Sequence, residues 1–403
     1  MERIKFFIIG IDDNREQHFS AEVAAIIASH VHFSGGVRHY EIVKPYLPAN
    51  HHWLPVMVPL APVVDCYREH QSVVVFASGD PLFFGFANTI MRELPDAEVQ
   101  VFPSFNSLQL LAHRLLMPYH DMHIVSLTGR PWLRFDEALI HGYEKIGVLT
   151  DNREHTPSSI AERMLDYGYN NYQMQVGELL GNNQQERVTT WRLTDVVGQS
   201  FASPNCLVLS RTAPRSRPFG IPESDFHLLD GRARMITKMP VRLLSLSLLN
   251  LRQRGVFWDV GFCTGSVSVE ARLQFPHLQI VAFEQRPEGE ALLRANAQRF
   301  GAPGIETVIG DFTELDLSLY PKPHAAFIGG HGGKMHAMVA KLSLLLPNDG
   351  VIVFNSVSAE SRQLFTDAIA QQGFCLQQCI RMQIDDFNAI DVMSAVRQAQ
   401  PIA

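Results

Sequence analysis

The segment FWDVGFCTGSVSVEA, residues 257–271, organises the second half of the chain. The residues from Val256 to Val260 form a short apolar run with one acid, which is typical of a buried parallel strand. Gly261 and Gly265 then enclose a loop whose backbone N–H groups face the end of that strand, and we expect Ser266 to cap the next helix. A strand, a glycine loop and a helix in this order predict a nucleotide-binding crevice.

Three further strand ends are predicted to meet the same crevice. Glu284 ends the second strand, 19 residues after Gly265 (284 − 265 = 19). This is close to the spacing of about 20 at which an acid accepts hydrogen bonds from a ribose. The third strand ends before Asp311 and Phe312, and the fourth ends in a glycine-rich loop that begins at Gly329. The pattern predicts a doubly wound α/β domain with a ligand at this rim, and a ligand-free domain of the same fold is the alternative.

Several motifs of the second half resemble the decarboxylating precorrin methyltransferase domain of cobalamin biosynthesis. They are residues 259–271, Glu284 with PEG at 287–289, GD at 310–311, FIGGHGG at 327–333 and VFNSV at 353–357. That family consists of class I S-adenosylmethionine (SAM) methyltransferases. The resemblance implies that SAM occupies the crevice, and the absence of a G-x-G-x-x-G pyrophosphate loop agrees. The SAM contacts it implies are Thr237, Gly261, Phe262, Cys263, Thr264, Gly265, Glu284, Asp311, Phe312 and Gly329.

The first half repeats a pattern of apolar strands that end in polar turns. GGVRH at 35–39, ASGDPLFFG at 77–85, SFNSLQ at 104–109 and SLTGR at 126–130 resemble the tetrapyrrole methylase domain. This resemblance implies a second SAM site that includes Gly79 and Asp80. One departure concerns the loop after the first strand, which reads GIDDN at 10–14 where relatives carry a glycine-proline-glycine-rich sequence. Asp12 and Asp13 there belong either to a functional site or to a solvated loop.

The composition is that of an ordinary globular protein with more than one core. The chain has 403 residues, of which 46% are hydrophobic and 19% are charged. This length predicts two domains, residues 1–212 and 213–403, and we interpret the proline- and arginine-containing residues 213–220 as a linker. The predicted fold class is α/β: an N-terminal domain of the tetrapyrrole methylase type and a Rossmann-like methyltransferase domain.

Charge and residue patterns exclude several other classes of function. No apolar run reaches the roughly 18 residues of a membrane helix. The N-terminal apolar run at residues 4–11 is not followed by the small-residue cleavage site of a secretory signal. We therefore expect a cytoplasmic protein without membrane association. The five cysteines include no C-x-x-C pair, and the 17 histidines lack companion ligands, so we expect neither disulfides nor a metal site. A net charge of −7 disfavours nucleic-acid binding.

Methyl transfer from a sulfonium to an electron-rich carbon requires positioning more than a strong base. This agrees with the absence of any convincing catalytic triad or carboxylate pair in the sequence. The implied substrate, a precorrin or cobalt-precorrin tetrapyrrole, is a polycarboxylate that basic side chains would hold. The candidates for this contact are Lys238, Arg242 and His331 in the second half and Arg38 and Arg130 in the first.

Taken together, the two halves resemble the family of fused, decarboxylating precorrin-6Y (precorrin-6B) C5,15-methyltransferases. The resemblance implies methylation at C-5 by the first domain, methylation at C-15 with loss of the ring C acetate carboxyl by the second, two SAM per cycle, and self-association into a homo-oligomer. Two alternatives remain open in the sequence. In the first alternative, only the second domain is a methyltransferase and the first docks the tetrapyrrole for it. In the second alternative, the chain is a SAM methyltransferase for another small molecule and its first domain is inactive.

Overall fold

The computed structural model describes residues 3–229, 235–385 and 388–398. Its contacts divide the chain into two units. The first contains the described residues of Met1–Arg130, Tyr143–Glu162 and Asn171–Ala213, and the second those of Pro131–Gly142, Arg163–Asn170 and Pro214–Ala403. Within the described ranges, every helix is too short or too polar to cross a bilayer.

The first unit contains two five-stranded sheets. In the first sheet all described pairings are parallel, and the order is β3-β2-β4-β1-β5. Its strands are β1 (Lys5–Ile11), β2 (His32–Gly35), β3 (His52–Pro55), β4 (Ser72–Ser78) and β5 (Glu98–Phe102). The second sheet is mixed, with the order β6-β7-β10-β8-β9. Its strands are β6 (His123–Ser126), β7 (Lys145–Leu149), β8 (Tyr172–Glu178), β9 (Arg187–Arg192) and β10 (Asn205–Arg211).

The helices of the first unit lie between its strands along the chain. They are α1 (Ala21–Ser29), α2 (Val37–Val43), α3 (Ala61–Tyr67), α4 (Phe86–Glu93), α5 (Ser107–Arg114), the first part of α7 (Pro157–Asp166) and α8 (Leu193–Val196). Ser20 accepts a hydrogen bond from the N–H of Val23, as expected of an N-cap. The expected turn at residues 35–39 is wrong, because the N–H of Tyr40 donates to the carbonyl of Gly36 and begins α2 there.

The second unit is built around a seven-stranded sheet with the order β13-β12-β11-β14-β15-β17-β16. Its strands are β11 (Val256–Val260), β12 (Gln279–Glu284), β13 (Ile305–Ile309), β14 (Ala325–Ile328), β15 (Val351–Ser356), β16 (Phe374–Met382) and β17 (Ile390–Arg397). The first five of these strands in chain order pair in parallel, and β17 runs antiparallel to both of its neighbours. The helices are α6 (Leu133–His141), the end of α7, α9 (Met239–Leu248), α10 (Ser266–Gln274), α11 (Glu288–Phe300), α12 (Met335–Leu345) and α13 (Ala359–Gln371).

The central strand β11 is buried along its whole length between β12 and β14. Trp258 on this strand is fully buried and packs with Phe283 and Phe312 in edge-to-face geometry. Because β11, β12, β13 and β14 pair in parallel, their carboxyl ends lie at the same edge of the sheet. The order in which the strands are connected reverses at β11. Ligands of open α/β sheets bind at such a point.

The helix after β11 begins one residue earlier than expected. Gly265, and not Ser266, is the N-cap residue of α10, since its carbonyl accepts the first helical hydrogen bond from Val269. Gly265 has φ +72°, a left-handed conformation that glycine adopts without strain. The expectation that Ser266 caps this helix is therefore wrong.

Candidate active site

The second unit contains a cavity of about 980 Å³ at the carboxyl edge of its sheet. The loops after β11, β12, β13 and β14 all contribute to its wall, together with residues 235–238 before α9. Most of the residues proposed from the sequence line it: Thr237, Lys238, Gly261, Phe262, Cys263, Thr264, Glu284, Asp311, Phe312, Gly329 and His331. This volume is at the upper end of the range for pockets that bind small molecules and cofactors.

The floor of this cavity is bare backbone. A Cβ atom on Gly261 would lie 2.8 Å from the carbonyl oxygen of Gly330, and one on Gly329 would lie 2.6 Å from the carbonyl oxygen of Gly261. Gly261 also has φ +77°. The loops after β11 and β14 therefore approach so closely that only glycine fits at both positions.

Glu284 at the end of β12 is surrounded by hydrogen-bond donors. Its carboxylate accepts bonds from the backbone N–H groups of Cys263 at 2.9 Å, Gln285 at 3.0 Å and Arg286 at 3.1 Å. The guanidinium of Arg286 adds two bonds, Nε at 2.9 Å and Nη2 at 3.3 Å. These contacts hold the carboxylate against the glycine loop and place Arg286 at the cavity wall.

Asp311 after β13 forms an ion pair across the cavity edge. Its carboxylate contacts the ammonium of Lys334 and accepts bonds from the N–H and hydroxyl of Thr313. The hydrogen bond from Lys334, followed by those from Thr313, lowers the pKa of Asp311 to about 2. Asp311 is therefore an anion at neutral pH.

Two of the residues expected at the site lie behind it. Arg242 is fully buried and forms an ion pair with Glu270 at 3.2 Å, so the expectation that it contacts substrate is corrected. Its guanidinium also donates to the carbonyl of Thr237 at 2.8 Å and to that of Ile221, which fixes the segment before α9. Gly265 is outside the cavity wall as well. It packs against Leu293, where a Cβ would lie 2.0 Å from a methyl carbon of that side chain.

Cys263 ties the glycine loop to the same segment. Its thiol lies 3.0 Å from the carbonyl oxygen of Met235 and donates to it, and burial raises the pKa of the thiol. The residue has φ +54°, an uncommon conformation for a non-glycine residue. Cys263 therefore lines the cavity and also contacts the segment before α9.

Asp259 on β11 lies beneath the glycine loop and is fully buried. One carboxyl oxygen accepts a bond from the hydroxyl of Ser268 at 2.6 Å. The other oxygen has no partner among the described residues. Burial raises the pKa of Asp259 to about 7 and outweighs the opposing hydrogen bonds from Ser268.

The first unit contains a smaller cavity of about 480 Å³. Its wall includes Gly79, Arg38 and the two acids of the loop after β1, and aromatic rings of Phe83, Phe84 and Phe105. Asp80 and Arg130 are not part of the wall. Asp80 accepts a bond from the N–H of Leu82 at 2.9 Å and holds the turn, whereas Arg130 lies over the ring of Phe84 at 5.3 Å.

The GIDDN segment, residues 10–14, spans the end of β1 and the start of the following loop, and it contributes Ile11, Asp12 and Asp13 to the cavity wall. Gly10 is packed so tightly that a Cβ would lie 1.9 Å from the carbonyl oxygen of Gly79. Asp13 is 2% exposed and accepts bonds from Arg38 at 2.7 Å and Asn182 at 3.1 Å. Asp12 accepts bonds from the N–H of Asn14 and the amide of Gln17.

Sequence reasoning missed several residues of both walls. In the second cavity these include Met235, Arg286, Lys334, Met338, Asn355 and Ile390. In the first they include His39, Ser78, Phe83, Phe84 and Phe105. Some of them carried a signal: Arg286 follows the strand-ending acid by two residues, Lys334 ends the glycine-rich loop, and His39 and Ser78 belong to family motifs.

Comparison with known proteins assigns both halves. Residues 19–197 match the family model of tetrapyrrole (corrin/porphyrin) methylases, and residues 228–403 match that of the precorrin methyltransferase domain. A cobalt-precorrin-6B C(15)-methyltransferase (decarboxylating) of Salmonella typhimurium is 33% identical over 167 residues, 41% of this chain and 85% of that protein. A solved structure named precorrin-6y C5,15-methyltransferase, from Geobacter metallireducens, is 28% identical and covers 45% of this chain and 98% of its own, with a TM-score of 0.41.

One relative spans both halves. A precorrin-6Y C(5,15)-methyltransferase [decarboxylating] of Sinorhizobium is 30% identical over 397 residues, which is 98% of this chain and 94% of that protein. A second protein of this name, from Mycobacterium tuberculosis, is 28% identical over 324 residues, 78% of each chain. This extent of similarity confirms the resemblance and the fold class inferred from the motifs. The chain belongs to the decarboxylating precorrin-6Y C5,15-methyltransferases, a family of fused methyltransferase enzymes.

Proposed function

We propose that this chain methylates a precorrin at C-5 in its first unit, and methylates C-15 with loss of the ring C acetate carboxyl in its second. In this proposal residues 1–212 and 213–403 are the two catalytic domains and residues 213–220 connect them. The observation that carries the proposal is the bare backbone floor at Gly261 and Gly329, which lies beside Glu284 at a switch point of the sheet.

The residues of the second cavity fit SAM. Gly261, Phe262, Cys263 and Thr264 would hold the donor along the backbone, and the Glu284 carboxylate is placed to accept hydrogen bonds from the ribose. When bound there, SAM supplies an electrophilic methyl group. The contribution of the chain is to fix the positions of donor and acceptor and to exclude water.

The basic side chains at this cavity suit an anionic substrate. Lys238, Arg286, His331 and Lys334 line its wall, with Glu284 and Asp311 as the acids. Lys334 is 46% exposed at its side chain and neutralises Asp311, so that acid does not repel a carboxylate nearby. Gly330 leaves open space where a side chain would stand, which allows a flat macrocycle to approach the loop.

The proposal is tested by titrating SAM and tetrapyrrole into full-length protein by calorimetry. Glu284→Ala should weaken SAM binding in the second unit by about 10-fold or more, because a hydrogen bond to a charged group is lost. Gly330→Val should instead weaken tetrapyrrole binding, since a Cβ at this position meets no atom within 4 Å and the added side chain would occupy open space at the cavity wall. Gly255→Ala, at an exposed glycine outside the cavity, is the control. Unchanged isotherms in both site variants would refute the assignment.

A second candidate concerns the first unit alone, which would dock the tetrapyrrole without methylating it. The observation that favours it is the GIDDN loop, where Asp13 and Arg38 form an ion pair in the cavity wall. Mass spectrometry of the product separates the two proposals. A gain of two methyl groups with loss of carbon dioxide supports two catalytic units, and a gain of one methyl with the same loss supports docking.

A further inference from the structure

Four polar residues of the first cavity form one hydrogen-bonded chain. Arg38 donates from Nη1 to Asp13 and from Nη2 to the hydroxyl oxygen of Ser78, both at 2.7 Å. His39 contacts the same hydroxyl oxygen through Nε2 at 2.9 Å. All four residues line the cavity, and Ser78 is an exposed residue at the end of β4.

The proton on His39 can be placed from its other contact. The backbone N–H of Gly36 donates to Nδ1 of His39 at 3.2 Å, so Nδ1 must carry a lone pair. The ring proton is then on Nε2, which donates to Ser78. The lowered pKa of His39, about 4, agrees, and its causes are burial first and the charge of Arg38 second. His39 is therefore a neutral donor at physiological pH.

This arrangement leaves Ser78 one direction for its own hydrogen. Its oxygen accepts from both Arg38 and His39, which uses both lone pairs. Arg38 and His39 act only as donors at this contact, and no other described residue accepts the Ser78 hydroxyl hydrogen. The O–H group is thus a donor at the cavity wall, beside a guanidinium whose side chain is 31% exposed.

We propose that Ser78 positions a ligand in the first unit by donating its hydroxyl hydrogen to a carboxylate oxygen, and that Arg38 and His39 hold it in this orientation. A hydroxyl donor beside a guanidinium suits an anionic oxygen. The inference rests on the function proposed for the first unit, in which two ligands carry such a group. They are the tetrapyrrole, through a side-chain carboxylate, and SAM, through its methionine carboxylate.

The test uses full-length protein carrying Glu284→Ala and Gly330→Val, so that binding to the second unit is weakened. S-Adenosylhomocysteine and the tetrapyrrole substrate are titrated separately into this background with and without Ser78→Ala. We expect the Kd of one of them to rise about 10- to 100-fold, as for loss of a hydrogen bond to a charged group. A rise for S-adenosylhomocysteine identifies the methionine carboxylate, and a rise for the tetrapyrrole identifies the substrate carboxylate.

Two further variants separate positioning from a structural effect. Ser78→Thr keeps the hydroxyl and should bind within about 3-fold of the background. His39→Ala should weaken binding less than Ser78→Ala, and the double variant should be no weaker than Ser78→Ala alone, since His39 acts through Ser78. Additive losses would overturn the positioning role, and a Ser78→Ala Kd unchanged for both ligands would overturn the proposal. C-5 methylation by the unmodified chain tests the proposed function separately, because binding does not depend on turnover.

Discussion

Single side chains in this molecule take their chemistry from burial and from the number of donors around them. Burial raises the pKa of Asp259 to about 7, and only one of its carboxyl oxygens has a hydrogen-bond partner among the described residues. Glu284, by contrast, accepts hydrogen bonds from three backbone N–H groups and from Arg286. Two acids on neighbouring strands of one sheet therefore have different roles.

Asp259→Asn should change the pH dependence of stability. The pKa of Asp259 is raised to about 7 in the folded chain, so wild-type stability is full below the ordinary carboxyl pKa and falls as pH rises toward 7. Asn mimics the protonated acid and lacks this loss. The variant should gain about 3 kcal/mol relative to wild type between pH 5 and pH 8. Urea unfolding at both pH values measures this, and a stability difference independent of pH would contradict it.

Arg286→Ala should tighten binding of S-adenosylhomocysteine by a few fold. The Glu284 carboxylate has about four acceptor positions, and the described bonds already exceed them, so a ribose must displace Arg286. Removing the guanidinium frees those positions. Calorimetry on the full-length chain provides the comparison, with Arg252→Ala as control, an exposed arginine outside the cavity. Weaker binding in Arg286→Ala would show that Arg286 assists the ligand instead.

The strands were the most predictable elements of the fold. The bounds of β11 match the apolar run from Val256 to Val260, because a buried parallel strand needs a continuous apolar sequence. Loop details were harder to infer. The N-cap at Gly265 depends on a left-handed backbone conformation, and the helix at Val37–Val43 depends on a hydrogen bond from Gly36 to His39. Neither leaves a periodic pattern in the sequence.

The segment before α9 is held by a buried ion pair that the sequence did not reveal. Arg242 was expected at the substrate because it is close in sequence to Thr237, yet its position on α9 turns it toward Glu270 on α10. Glu270 also accepts bonds from the N–H groups of Gly220 and Ile221. This cluster joins two helices and two irregular segments of the second unit.

Arg242→Met should destabilise the second unit by about 3–5 kcal/mol, because it leaves the Glu270 charge buried without its partner. Replacing both members, Arg242→Met with Glu270→Leu, should recover part of this loss. Thermal unfolding of the two variants measures the difference. Equal stability of Arg242→Met and wild type would contradict the role assigned to the ion pair.

For the whole molecule, sequence reasoning recovered the α/β fold class and the fused family, and most of the residues it proposed for the second half lie in the wall of the second cavity. It placed these residues correctly because the wall of this cavity is built from backbone loops at strand ends, which glycines and a strand-terminal acid mark. It was weaker for the first cavity. That wall combines residues distant in sequence, such as Arg38 and Ser78, which only the folded unit brings within 2.7 Å.

The division of labour between the two units is tested most directly by following both methyl groups at once. Full-length protein is incubated with precorrin-6Y and SAM labelled with ¹³C in its methyl group, and the product is analysed by NMR and mass spectrometry. The wild-type chain should yield label at C-5 and C-15 with loss of carbon dioxide. At a SAM concentration that limits the second unit, Glu284→Ala should keep the label at C-5 and lose about 10-fold or more of the label at C-15. Unchanged C-15 labelling and decarboxylation in Glu284→Ala would contradict the account.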